Sequence, residues 1–170
     1  MAIEIDRFIY EMQLLLSTRL AWLSNDYGRV YRFVEPAEGK LYIPSVYQGE
    51  NRYLSMHPDK AKQGQCYFVA NTEDVHYESS LLHYKVGIVF QVNLEEIDKT
   101  TTKNELFTQV LIAQAREVIQ NFGLVNTSAK SIDIKRVERD PREVYKEFTF
   151  SKESNNYNEA PMQCFRINLE

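Results

Sequence analysis

Tyr84-Lys85-Val86-Gly87-Ile88-Val89-Phe90-Gln91-Val92-Asn93-Leu94 alternates apolar residues with polar or small ones, Val89 excepted. That period of two predicts a strand with one buried and one wet face. After the loop 98–101, which holds no glycine and so no phosphate cradle, Thr102-Lys103-Asn104-Glu105 forms a capping box: the Thr102 hydroxyl takes the residue 105 amide, and the Glu105 carboxylate reaches back to the residue 102 amide. Phe107, Val110, Leu111, Val118, Ile119 and Phe122 then recur at helical spacing, with Gly123 placed for a left-handed C-terminal cap. A half-buried strand feeding a helix with one apolar stripe predicts an α+β domain in two layers.

Working outward, residues 4–23 predict a first helix on Ile5, Phe8, Ile9, Met12, Leu15, Leu16, Leu20 and Leu23, with Glu4 and Asp6 at its positive end. Leu14 and Trp22 fall off that stripe, which suggests contacts on a second side. Ser24 to Gly28 reads as a turn. Short strands are expected at 29–34, 40–47, 52–56 and 66–69, with turns at 36–39 and 48–51 and a polar connector at 57–65. Pro44 confines its strand to an edge or a bulge. Residues 40–56 thus form a long hairpin that can project from the body, and 71–80 read as loop.

Beyond the second helix, 126–128 is loop and Ile132 and Ile134 start a strand running to Val137. Asp140-Pro141-Arg142-Glu143 opens a short third helix with Val144, Tyr145 and Phe148 inward. A loop follows at 151–159, and a last strand, 163–169, is regular enough to be paired inside the sheet. The expected fold is a single α+β domain over 1–170: a mostly antiparallel sheet, two main amphipathic helices packed on one face, and a short third helix.

The 170 residues, 44% hydrophobic and 26% charged, suit one globular domain. No apolar run approaches the ~18 residues of a membrane span, and Glu4 and Asp6 stand where an export signal would carry positive charge. Cys66 and Cys164 read as free buried thiols. A net charge of −4 argues against phosphate-backbone binding, because the cationic stretch from Lys130 to Arg142 is interleaved with acids. The glycines are too scattered for a nucleotide motif. His76, His83 and Cys66 match no metal-ligand spacing, and neither cysteine pairs recognisably with a histidine. Glu95 and Glu96, adjacent at a strand end, point to opposite faces. No catalytic residue, cofactor or metal is therefore expected. The 11 tyrosines against one tryptophan stand out: several fall in the β-rich first half, where tyrosine suits a half-buried sheet surface or the wet rim of a protein interface.

Three features, the helix from Ile5 to Leu23, the strand Tyr84 to Leu94 with the helix Thr102 to Phe122, and the closing Cys164-Phe165-Arg166-Ile167-Asn168-Leu169, stand in an order that resembles the tail terminator (tail completion) proteins of long-tailed bacteriophages and prophages. The segment 139–159 looks like an addition to the minimal fold. The resemblance implies a non-enzymatic virion protein, made in the host cytoplasm. It would form a ring, usually a hexamer, that caps the tail tube, meets the head–tail connector and lets DNA pass through its lumen without specific binding. Another neck, tail or baseplate assembly module is the alternative, followed by an enzyme or small-molecule binder of unrecognised type. Tyr42, Tyr47 and Tyr53 on the hairpin are the expected interface; equally, these rings could pack on their own sheet.

Overall fold

The structure is a computed structural model of the chain; it describes residues 2–35, 41–71, 76–78, 81–100, 105–125, 128–149 and 161–170. The expected capping box at 102–105, the turn at 36–39 and the loop at 151–159 lie wholly or mostly outside these residues.

The alternating stretch is strand β7 (Val86–Asn93), and all of it is buried. It lies between β4 (Gly64–Ala70) and β9 (Met162–Leu169), antiparallel to both. One face was expected to be wet, and it is not. Ile88, Phe90 and Val92 join the core under the helices, while Val89 joins a second apolar cluster behind the sheet, with Tyr67, Val69, Val144 and Tyr145. The polar residues of the back face are bonded to one another instead of to water. Gln65 Nε2 donates to Gln91 Oε1 at 2.6 Å, and Gln91 Nε2 donates to the Tyr145 hydroxyl at 2.9 Å. Gly87 leaves room there for the Arg166 guanidinium, which a Cβ would meet.

Strand β1 (Asn25–Glu35), β2 (Leu41–Tyr47), β3 (Tyr53–Ser55) and β8 (Ile134–Glu138) complete a seven-stranded sheet in the order β3-β2-β1-β4-β7-β9-β8. Every pairing is antiparallel except β1 with β4. Strand β1 begins earlier than expected, since Asn25 and Asp26 pair with β4 and the chain turns at 21–22 instead. A register shift between Asp26 and Arg29 absorbs the turn-forming residues. Residues 76–78, expected as loop, form β5 (His76–Glu78) and pair with β6 (Leu81–His83) in a separate two-stranded ribbon.

Helices α1 (Ala2–Arg19) and α3 (Glu105–Gln120) cover one face of the sheet. Phe8 meets Phe122 edge-on at 5.1 Å, and Phe90 stacks on Phe165 at 4.8 Å. Between them, α2 (Leu94–Ile97) is a single turn whose Glu95 amide is capped by the Asn93 side chain, so Glu95 and Glu96 belong to a helical turn and not to a strand end. Gly123 does not adopt the left-handed cap: it lies inside the short α4 (Phe122–Val125), which the buried Phe122 anchors. Val110, expected in the core, is exposed; Ile112 and Ala115 fill its place. The short α5 (Pro141–Val144) is capped as expected by the Asp140 side chain, and it carries Val144 and Tyr145 onto the back of the sheet. Cys66 faces the helices and Cys164 faces away, with β7 between their strands, so they are not bridged.

Candidate interaction surface

Strand β1 belongs to two neighbours in succession. Asn25, Asp26 and Arg29 pair with β4, whereas residues 30–35 pair with β2 alone. The second half of β1, with β2 and β3, is therefore a three-stranded ribbon running on past the body. Opposite residues of an antiparallel pair point to one face. Val30, Val46 and Leu54 share the back face, where Val30 and Met56 are buried against the body. Tyr31, Phe33, Tyr47 and Tyr53 share the helix-side face, which no helix among the described residues covers, and are 45%, 41%, 48% and 44% exposed. Phe33 and Tyr47 each hold their rings 5.3 Å from Tyr53. Ser45 and Ile43, in register with Tyr31 and Phe33, are buried on this face. The result is an aromatic platform on a small-residue floor.

Of the three tyrosines expected at an interface, Tyr47 and Tyr53 come together. Tyr42 does not join them: alternation puts it on the other face, where the Arg32 guanidinium lies 4.5 Å above its ring. Tyr31 and Phe33 complete the platform and were not singled out from sequence. Their alternation was visible, but not the direction in which that face would be left uncovered.

Local backbone holds the platform out. Glu50 and Asn51 have φ of 51° and 58°, and the Arg52 amide donates to the Gly49 carbonyl at 2.9 Å. Two consecutive left-handed residues give the turn whose twist matches a hairpin; Asn accepts this readily, while Glu at such a position costs about 1 kcal/mol. Gly49, with φ of 89°, adds a third positive value. Pro44 sits beside the end of β3, and its carbonyl accepts from the Met56 amide at 2.7 Å. One residue's N–H and C=O share a side of a strand, so the missing proline N–H faces the edge where β3 stops and not β1.

A second surface lies at the opposite end of β1. Ser24 donates its amide to the Gly64 carbonyl at 2.8 Å, and Gly64 must be glycine because a Cβ would meet the Trp22 carbonyl at 2.9 Å. Trp22 packs its ring 5.9 Å from Phe90 and donates its indole N–H to Gln114 Oε1 at 2.8 Å. Around it opens a cleft of about 910 Å³ between the end of α1 and the outer flank of α3. Leu15, Leu20, Val118 and Ile97 supply apolar walls; Gln63, Gln114, Glu117 and Asn121 supply polar ones. Leu106 and Val110, 70% and 48% exposed, continue the α3 row that holds Gln114.

The two buried thiols are held protonated. Burial pushes the Cys66 thiol up, and burial raises Cys164, beside the Tyr145 hydroxyl, to about 12. Neither is a thiolate at neutral pH. His76 and His83 stand opposite each other in the β5–β6 ribbon, with Glu78 3.8 Å from His83, while Cys66 lies in the core. Among the described residues no group of three or more His, Cys, Asp and Glu side chains is placed to hold a metal. No helix among them is long and apolar enough to cross a membrane. No family model, curated protein or solved structure matches the chain.

Proposed function

We propose that this chain is a structural protein of a long-tailed bacteriophage or prophage. In this reading it forms a ring, with six subunits expected, at the top of the tail tube, ends tube assembly and joins the tube to the head–tail connector. The observation that carries the assembly reading is the projecting ribbon with four exposed aromatic rings on one face. Contiguous exposed apolar surface on a protein of this size marks a contact with another chain. Tyrosine, an apolar ring with a polar tip, suits the wet rim of such a contact. The order of helix, strands, helix, strand, short helix and strand is the ground for the tail terminator reading, and another neck, tail or baseplate module with similar layers is the alternative. A subunit in a ring must offer different patches to its two neighbours, and the ribbon supplies one of them. The net charge of −4 suits a lumen through which DNA slides, since like charge opposes sticking. The work is assembly and uses no cofactor.

Native mass spectrometry and negative-stain imaging of the full chain test this, alone and mixed with purified tail tubes. The expected result is a closed ring with a central hole, free or seated on tube ends. A chain that stays monomeric at its highest soluble concentration and leaves tube ends bare overturns the reading.

A further inference from the structure

The ribbon and the Trp22 cleft complement each other in chemistry, yet they sit at opposite ends of β1. The cleft adjoins Ser24, where β1 starts, and the platform begins at Tyr31, after β1 has left β4. Eleven residues of strand span on the order of 35 Å, so the two surfaces cannot meet within one molecule. The platform is aromatic, and three of its four rings carry hydroxyls. The cleft is lined by apolar Leu15 and Val118 and by polar Gln63 and Asn121. A tyrosine ring entering it finds hydrocarbon for its face and an amide for its hydroxyl. The α3 row beside the cleft is also suited to contact: from Leu106 to Ala115 the helix carries no charged residue, unusual for an exposed flank.

We propose that the aromatic ribbon of one protomer seats in the α1–α3 cleft of the next copy of this chain. This rests on the ring reading above and gives it a contact geometry. The two surfaces differ, so the contact is heterologous, and repeating it generates a closed ring when the rotation closes. The areas fit. Rings that bury ~150–250 Å² each when fully covered, here 41–48% exposed, hold about 350 Å² still to bury. That is close to half of the ~800 Å² per partner in a stable interface. Ser55, exposed on the same face, and the hairpin turn lie alongside to extend it.

Thiol cross-linking of the full chain tests the pairing. The native cysteines are buried, so an introduced thiol is the reactive one. Ser55→Cys, beside the platform on its own face, and Glu117→Cys both change exposed side chains and leave the four rings in place, and unchanged thermal melting would confirm folding. With a short bismaleimide, the double variant should give a ladder ending at the ring size. An equal mixture of the two single variants should stop at dimers, and each single variant alone should give no product. Ser55→Cys linking to itself would show an isologous contact and overturn the inference. Rings that assemble but give no Ser55–Glu117 product would overturn it too, while leaving the ring reading standing. A chain that is monomeric under all these conditions overturns the pairing, and one that also leaves tube ends bare overturns both.

Discussion

The two edges of the sheet are built on opposite plans. At one edge, β8 bears a register shift against β9 between Ile134 and Arg136, and its exposed side chains are charged. Lys135 bridges Asp133 at 2.6 Å and Glu170 at 3.1 Å, and Arg136 reaches Glu138 at 2.8 Å. Lysine, charge and irregular register are the devices by which a strand edge refuses a stranger. At the other edge, β3 reads Tyr53-Leu54-Ser55, all exposed and none charged. Its brevity is its one safeguard, and its face continues the aromatic platform. Had the whole sheet been under pressure to stay single, both edges would carry charge. Only one does, and the contrast is the reason the ribbon end is the one proposed to meet another chain.

The largest effect is expected at the guarded end. Arg166 is buried beside β8, and the Glu147 carboxylate holds it through two oxygens, with Nη2 donating at 2.8 Å. Glu147→Ala leaves that cation unpaired, at a cost of about 3 kcal/mol. In a chain of this length that corresponds to a fall in Tm of roughly 6–12 °C, readable by thermal unfolding. Replacing Tyr53 by Ser should instead leave Tm nearly unchanged and weaken self-association at least tenfold, about 1.4 kcal/mol, as measured by sedimentation. Equal losses of Tm from both substitutions would erase the distinction between a packed end and a docking end. Stripping the guard, with Lys135→Thr and Arg136→Val together, should create a second adhesive edge, and light scattering should rise with time where the parent solution stays clear.

The smallest expected effect concerns pH. A hydrogen bond from the Arg142 side chain, then one from the Arg142 backbone, lowers the Asp140 carboxyl from its ordinary 3.8 to about 2. Its folded value lies below its unfolded value, so its stabilising contribution is present above pH ~4 and is lost as the pH falls through about 2. Asp140→Asn should flatten that part of the acid unfolding curve while keeping the cap of α5, because the amide oxygen still accepts from the Arg142 backbone N–H. A curve unchanged between pH 4 and pH 2 would show that this exposed pair contributes nothing.

The sequence was readable where one face of one element decides the answer. Strand β7, helices α1 and α3, the Asp140-Pro141 cap and the paired final strand all follow from local periodicity or capping chemistry. The back layer did not. Gln65, Gln91 and Arg166 have the polarity of wet positions, but their partners Tyr145 and Glu147 come from the segment around α5, which becomes adjacent only after folding. Polarity records that a group needs a partner, not whether that partner is water. Val110 failed in the reverse direction: an apolar residue at helical spacing reads as core, and here it lies on the flank beside a cleft. The interface suffered the same ambiguity. Tyr42 and Tyr47 lie five residues apart on a strand of period two, so they were bound to part company across the sheet.

The divided allegiance of β1 has a mechanical meaning. A force on the ribbon tip is carried along a single continuous strand into the parallel pairing with β4, where it acts along the strand direction. Hydrogen bonds loaded that way share the load and must fail together, whereas a hairpin pulled open from its end gives way bond by bond. Arg29, at the point of transfer, adds a bond of 2.7 Å to the Ala70 carbonyl and faces Asp6 of α1 at 3.9 Å, spreading the pull into a second layer. The ribbon is slender, but it is anchored as a tether.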